Sequence, residues 1–166
     1  MTPEEYLALP EEKPYLEYVD GMVLQKPMPT EEHAEIALEL GSHLKTWARP
    51  RKGRVGVEAR MRQGELPNYR VPDVSYWDAS VPRGAGAPPT LAVEIRSPDQ
   101  TLAELQAKCR SLRSAGVAVC WLIDPTSRVA LVFDDTHDGD ATSVLESSVL
   151  PGFRLALIEL FQFLDD

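Results

Sequence analysis

The chain has 166 residues, 43% apolar and 26% charged, which is the balance of an ordinary globular domain and predicts one domain over residues 1–166. Its net charge of −9 argues against indiscriminate nucleic-acid binding. No apolar run approaches the roughly 20 residues needed to cross a bilayer, so no membrane association is expected.

Met1-Thr2-Pro3-Glu4-Glu5 lacks a basic and apolar leader pattern and reads as a helix cap, with a short helix predicted to about Leu9. Tyr15 to Leu24 carries a hairpin signal, because Asp20-Gly21 accepts the positive φ angles of a tight turn. Pro27-Met28-Pro29 ends the second strand. Thr30 then caps a helix whose buried stripe is Ile36, Leu40, Leu44 and Trp47. Val55, Val57, Ala59 and Met61 alternate with Arg54, Glu58, Arg60 and Arg62, which predicts one strand with a wet, mostly basic face. From Arg49 to Arg70, seven basic residues against two acidic ones net +5 and leave −14 elsewhere, so this stripe is either a phosphate contact or a solvated strand face.

Arg70 to Trp77 reads as the next strand, Arg83 to Pro89 as a mobile Gly/Pro/Ala loop, and Thr90 to Ile95 as a buried strand. Ser97-Pro98-Asp99 leads into a helix ending at Gly116, with the stripe Leu102, Leu105, Cys109 and Leu112. Strands are predicted over Val117–Ile123, Val129–Phe133 and Ser143–Leu150, an acidic loop over Asp134–Asp140, and a closing helix over Arg154–Leu164. The two cysteines, Cys109 and Cys120, have no metal-site spacing and read as reduced core thiols, as expected of a cytoplasmic protein. The whole is an α/β fold with a mixed sheet flanked by helices.

Two acids carry the chemistry. Asp73 follows Pro72, which lacks an N–H and favours a strand edge or bulge. Glu94 lies among Leu91, Ala92, Val93 and Ile95, where an unpaired carboxylate is costly. Either the two hold a metal, or Asp73 is a half-exposed strand acid and Glu94 a salt-bridge partner. Oxygen ligands of this kind and number suit Mg²⁺, with Mn²⁺ also accommodated. Arg96 stands two residues after Glu94, on the same side of an extended strand, and its charge suits transition-state stabilisation but not proton abstraction. Lys108 flanks the buried stripe of its helix, and either reaches the sheet or snorkels to the surface. Glu17 completes the acidic cluster or is an exposed hairpin residue. His33, in the first turn of its helix, binds phosphate, accepts a proton, or is a plain surface histidine.

In chain order these pieces are Tyr15 to Gly21, Pro27-Met28-Pro29 with His33, Val71-Pro72-Asp73-Val74, Val93-Glu94-Ile95-Arg96-Ser97-Pro98, Lys108, Gly116-Val117, Trp121 to Pro125 and Leu150-Pro151-Gly152-Phe153. The series resembles the bacterial restriction-endonuclease-like Uma family, a branch of the PD-(D/E)XK nuclease superfamily, over nearly the whole chain. The resemblance implies a restriction-endonuclease-like mixed β-sheet flanked by helices, and a Mg²⁺-dependent site hydrolysing phosphodiester bonds of DNA. It implies Asp73 and Glu94 as metal ligands with Glu17 nearby. Arg96 then occupies the motif's lysine position and Lys108 is a migrated substitute. Leu112 and Cys120 stand where such relatives are expected to have tyrosines. A two-fold homodimer is compatible with a duplex target, whose strands are antiparallel. The absent motif lysine and the acidic charge also fit a catalytically inactive module that keeps this fold for nucleic-acid binding or assembly.

Overall fold

The fold is that of a computed structural model, which describes residues 1–65, 67–84 and 86–166. A capping box between Thr2 and Glu5 starts α1 (Pro3–Leu7). β1 (Leu16–Val19) and β2 (Met22–Gln25) form the predicted hairpin, and Asp20 and Gly21 turn it at φ of 51° and 83°. Thr30 caps α2 (Glu31–Ala48), and a 3-10 turn (Arg49–Arg51) follows it.

The predicted single strand after α2 is two strands, β3 (Arg54–Val57) and β4 (Met61–Gln63), parted at Glu58, which has a φ of 53°. A side chain in the left-handed region cannot continue a pleat. The run from Arg70 is likewise divided, into β5 (Asn68–Arg70) and β6 (Val74–Trp77), with Val71-Pro72-Asp73 between them. At the first crossing the chain passes from a six-stranded sheet into a four-stranded one, ordered β2-β1-β5-β4, and at the second it returns. The crossings are tied together where the Glu58 N–H donates to the Asp73 carbonyl at 3.2 Å.

The six-stranded sheet is completed by β7 (Leu91–Ile95), β8 (Val119–Asp124), β9 (Val129–Phe133) and β10 (Asp138–Thr142), in the order β10-β9-β8-β7-β6-β3. β7 and β8 are parallel and joined through α3 (Leu102–Ser114); the other neighbours are antiparallel. Ile36, Leu40 and Leu44 of α2 pack with Val93 and Trp121 on one face of the sheet. Leu105, Cys109 and Leu112 of α3 pack with Ala92, Cys120 and Leu122 on the other. β7 and β8 are thus buried on both faces, which explains their unbroken apolar runs. Cys109 and Cys120 are free, buried thiols facing each other between α3 and β8.

Three elements near the end differ from expectation. The acidic loop shrinks to a turn held by the Asp134 carboxylate, and its second half becomes edge strand β10. The last strand is reduced to β11 (Val144–Leu145), paired with β12 (Leu155–Ala156), because Ser147-Ser148 and Pro151-Gly152 turn the chain back. The closing helix is only α4 (Leu157–Leu160) and a 3-10 turn (Gln162–Asp165). The predicted loop Arg83–Pro89 includes Ala85, which lies outside the described residues. Among the described residues no helix is long and apolar enough to cross a membrane.

A Cβ at Gly21 meets nothing within 4 Å, so a substitution there acts through backbone conformation alone. Gly21→Val is expected to lower stability by about 1–2 kcal/mol in urea unfolding. Gly21→Asn is expected to lower it much less, because asparagine tolerates this region. Equal losses would refute the backbone explanation.

Candidate functional site

Glu94 sits on β7 on the face that carries Ala92, towards α3, because side chains alternate along a strand. Asp73 immediately precedes β6 and is pinned to β7 by backbone, its N–H donating to the Val93 carbonyl at 3.1 Å. Both are buried, at 3% and 2% exposure, on neighbouring strands beside the seam between the two sheets. No apolar strand tolerates such groups without partners, and each has one.

Lys108 reaches down from α3 into the sheet, with Nζ 2.9 Å from Glu94 Oε1 and 2.9 Å from Glu17 Oε2. Glu17 accepts from the Val71 N–H at 2.7 Å and pairs with Arg70 Nη1 at 3.3 Å. Asp73 Oδ2 accepts from the Ile95 N–H at 2.7 Å and faces His33 Nε2 at 3.3 Å. Glu17, His33, Asp73, Glu94 and Lys108 therefore converge, and all five are buried. Arg96 does not join them. β7 ends at Ile95, so the two-residue alternation stops short of Arg96, and its guanidinium instead holds Asp124 at 3.3 Å and donates from Nε to the Gln100 carbonyl.

Two further residues complete the cluster. Lys26, just after β2, places Nζ 2.8 Å from Asp73 Oδ1, 2.8 Å from Glu58 Oε2 and 2.7 Å from the Val71 carbonyl. Alternation puts Glu58 on a wet strand face, but its position at the chain crossing turns it inward. The one local signal for Lys26 is its place directly before Pro27-Met28-Pro29, which fixes where the strand stops.

The electrostatics follow from burial and partners. Burial pushes the Asp73 carboxyl up, but Lys26 and the His33 hydrogen bond more than reverse this and hold it well below the usual carboxylate range. For Glu94 burial wins over Lys108, and its pKa is pushed up to about 7. Burial opposes the charge on Lys108, Lys26 and His33, yet the neighbouring acids raise all three. Glu17 is lowered, since Lys108 and Arg70 outweigh its desolvation.

A cavity of about 410 Å³ opens on this cluster, with Lys26, His33, Glu58, Asp73 and Glu94 in its wall. Lys108, itself held by Glu17, supports Glu94 from outside the lining. Among the described residues no three His, Cys, Asp or Glu side chains form a ready metal cage. Two carboxylates at a cavity do match the needs of Mg²⁺, which takes one or two protein carboxylates and completes its shell with water and phosphate.

Two sheets meeting at a seam of buried carboxylates, with a helix on either face of the larger one, define a restriction-endonuclease-like α/β fold. The chain belongs to the Uma2 family, described as “Putative restriction endonuclease”, whose match spans residues 3–161. Its fold matches the crystal structure of “a putative nuclease belonging to DUF820” from Anabaena variabilis ATCC 29413, at 28% identity over 99% of each chain and a TM-score of 0.88. A cryoEM structure of a DrdV–DNA complex is similar at 17% identity over 62% of this chain and 9% of that one, with a TM-score of 0.43. No curated protein matches.

Removing Lys108 strips Glu94 of its cation and Glu17 of one of two. Lys108→Met is therefore expected to lower stability by about 3–5 kcal/mol at pH 8. The raised Glu94 pKa sets the pH dependence. Relative to its ordinary 4.5, this carboxyl contributes stability at low pH that is lost as pH rises to about 7. Below pH 7 it is protonated in the fold and has little charge to pair with Lys108. The difference between variant and wild type in urea unfolding is thus smaller at pH 6 than at pH 8. A difference independent of pH would contradict the assignment.

Proposed function

We propose that this chain is a metal-dependent nuclease that hydrolyses phosphodiester bonds of DNA. The observation that carries the proposal is the pair Asp73 and Glu94, buried side by side at the floor of a cavity with a lysine on each. Family membership and the nuclease named in the matching crystal structure support it.

The donor chemistry fits a hard divalent cation, and Asp73 and Glu94 would hold it. When bound, such an ion supplies a Lewis acid for the phosphate charge and lowers the pKa of a water. Hydrolysis joins the water oxygen to phosphorus, breaks one P–O ester bond, and leaves a proton on the departing oxygen. Lys108 is held as an ammonium, so its part is fixed positive charge beside Glu94 rather than proton abstraction. It supplies the charge that the superfamily's motif lysine would bring, while Arg96 faces Asp124. His33 and Lys26 line the cavity, and once released from Asp73 they would offer donors to phosphate oxygens.

Asp73→Ala and Glu94→Ala are each expected to reduce cleavage of a DNA substrate in Mg²⁺ or Mn²⁺ by at least about 10²-fold, with the fold checked by circular dichroism. Wild-type cleavage by both variants would overturn the proposal. A second reading rests on a specific feature: every carboxylate of the cluster already has a cation in contact, as in a purely structural network. That non-catalytic module predicts no cleavage and no metal binding by the wild type.

Lys26 makes a sharper distinction. It occupies Asp73 Oδ1, so an ion held there must displace it. Lys26→Gln is expected to tighten Mn²⁺ binding by about tenfold or more in calorimetry, with Asp73→Asn abolishing it in either background. Unchanged affinity in Lys26→Gln would show that Lys26 and the ion do not compete.

A further inference from the structure

The cavity over the acids has a lining that the ion network does not use. Pro14 and Tyr15 before β1, Pro27, Met28 and Pro29 after β2, and Val57 at the end of β3 all contribute to it. Met28 is 71% exposed and Val57 55%. Single exposed apolar side chains need no explanation, but these share one concave wall with the buried carboxylates. At the same wall Lys13 Nζ lies over the Tyr15 ring, 5.7 Å from its centroid. An aromatic ring, proline faces and a thioether, next to cations and buried carboxylates, make a surface for a flat heterocycle joined to a phosphate.

Size and charge then select among nucleic-acid forms. The volume of 410 Å³ lies at the small end of single-ligand pockets, about 300–1,000 Å³. A space of that volume holds one nucleotide and not the stacked base pairs of a duplex. Asp73 and Glu94 are almost wholly buried at its floor, so a phosphate has to come into the cavity to meet them. A paired nucleotide can do so only by leaving its stack, which costs a few kcal/mol, whereas an unpaired one is already free. The net charge of −9 also repels a duplex, which carries one phosphate charge per about 1.7 Å of axis, more than it repels a single strand.

We propose that the site takes unpaired DNA, one nucleotide entering the cavity with its phosphate towards Asp73 and Glu94 and its base against the wall of Tyr15, the prolines, Met28 and Val57. This rests on the nuclease reading and names its substrate class. The test uses the full chain with Mn²⁺ and fluorescein-labelled 15-nucleotide DNA, phosphorothioate-linked to resist cleavage, as a single strand and as a blunt duplex of the same sequence. Fluorescence anisotropy is expected to give at least about tenfold tighter binding of the single strand. Stacking of a base on an aromatic side chain is worth about 1–3 kcal/mol, so Tyr15→Ser should weaken single-strand binding about 5- to 150-fold, and the solvent-exposed Met28→Ser should weaken it as well, each changing duplex binding little. Equal affinity for the two forms, or a preference untouched by both variants, overturns the proposal while the nuclease reading stands. Binding of neither form overturns both.

Discussion

A carboxylate in the middle of a strand buried on both faces is the constraint around which this molecule is arranged. Glu94 lies in β7 among side chains of essentially no exposure, with α2 against one face of the sheet and α3 against the other. Such a group persists only with a partner in contact. Lys108 is that partner, and it meets Glu94 because α3 packs with Leu105, Cys109 and Leu112 inward and carries Lys108 at the flank of the same stripe. The helix is therefore held to the sheet by apolar packing and by an ion pair at once. Lys108 also binds Glu17, so the same contact ties the hairpin of the small sheet to the core of the large one.

The second organising feature is the seam between the sheets. The chain crosses it at Glu58 and again at Val71-Pro72-Asp73, and at both places the ladder is interrupted. Interrupted ladders leave backbone groups that need other partners. Here side chains of the cluster serve: Glu17 takes the Val71 N–H, Lys26 the Val71 carbonyl, and Asp73 the Ile95 N–H. Acids and cations at the seam thus do structural work that an unbroken sheet would not need. The opening left where the sheets diverge is the cavity.

How much of this is legible in the sequence depends on the range of the interaction. Glu94 stands out because its apolar neighbours announce a buried strand, and Asp73 because of Pro72. Lys108 is identifiable from helical phase, since 3.6 residues per turn put it beside the buried stripe. The Asp20-Gly21 turn and the Thr2 and Thr30 caps are local chemistry and read directly. Lys26 and Glu58 are not legible, because their meeting joins residues 32 apart through two sheets, and no periodicity reports it. The same holds for Arg96: alternation would aim it with Glu94, but the strand ends one residue earlier and Asp124 captures it. The crossings themselves are hidden because alternation looks the same whether a run stays in one sheet or changes sheets at a single left-handed residue.

The charge inventory of the cluster links its structural and proposed chemical roles. Glu17, Glu58, Asp73 and Glu94 face Lys26, Lys108, Arg70 and a His33 whose pKa is raised. Acids and cations nearly balance, which is why so many ionisable groups can share a buried site. A divalent ion and a phosphodiester entering together would change that sum by only about one charge. Lys26 is the group best placed to accommodate them, because it lines the cavity and sits at the end of a strand rather than within a packed helix face. Lys108, held between two buried carboxylates on α3, is not free to do the same. In the proposed nuclease the two lysines would divide the work: one would fix the acids in place, and the other would keep Asp73 neutralised until a substrate brought its own charges.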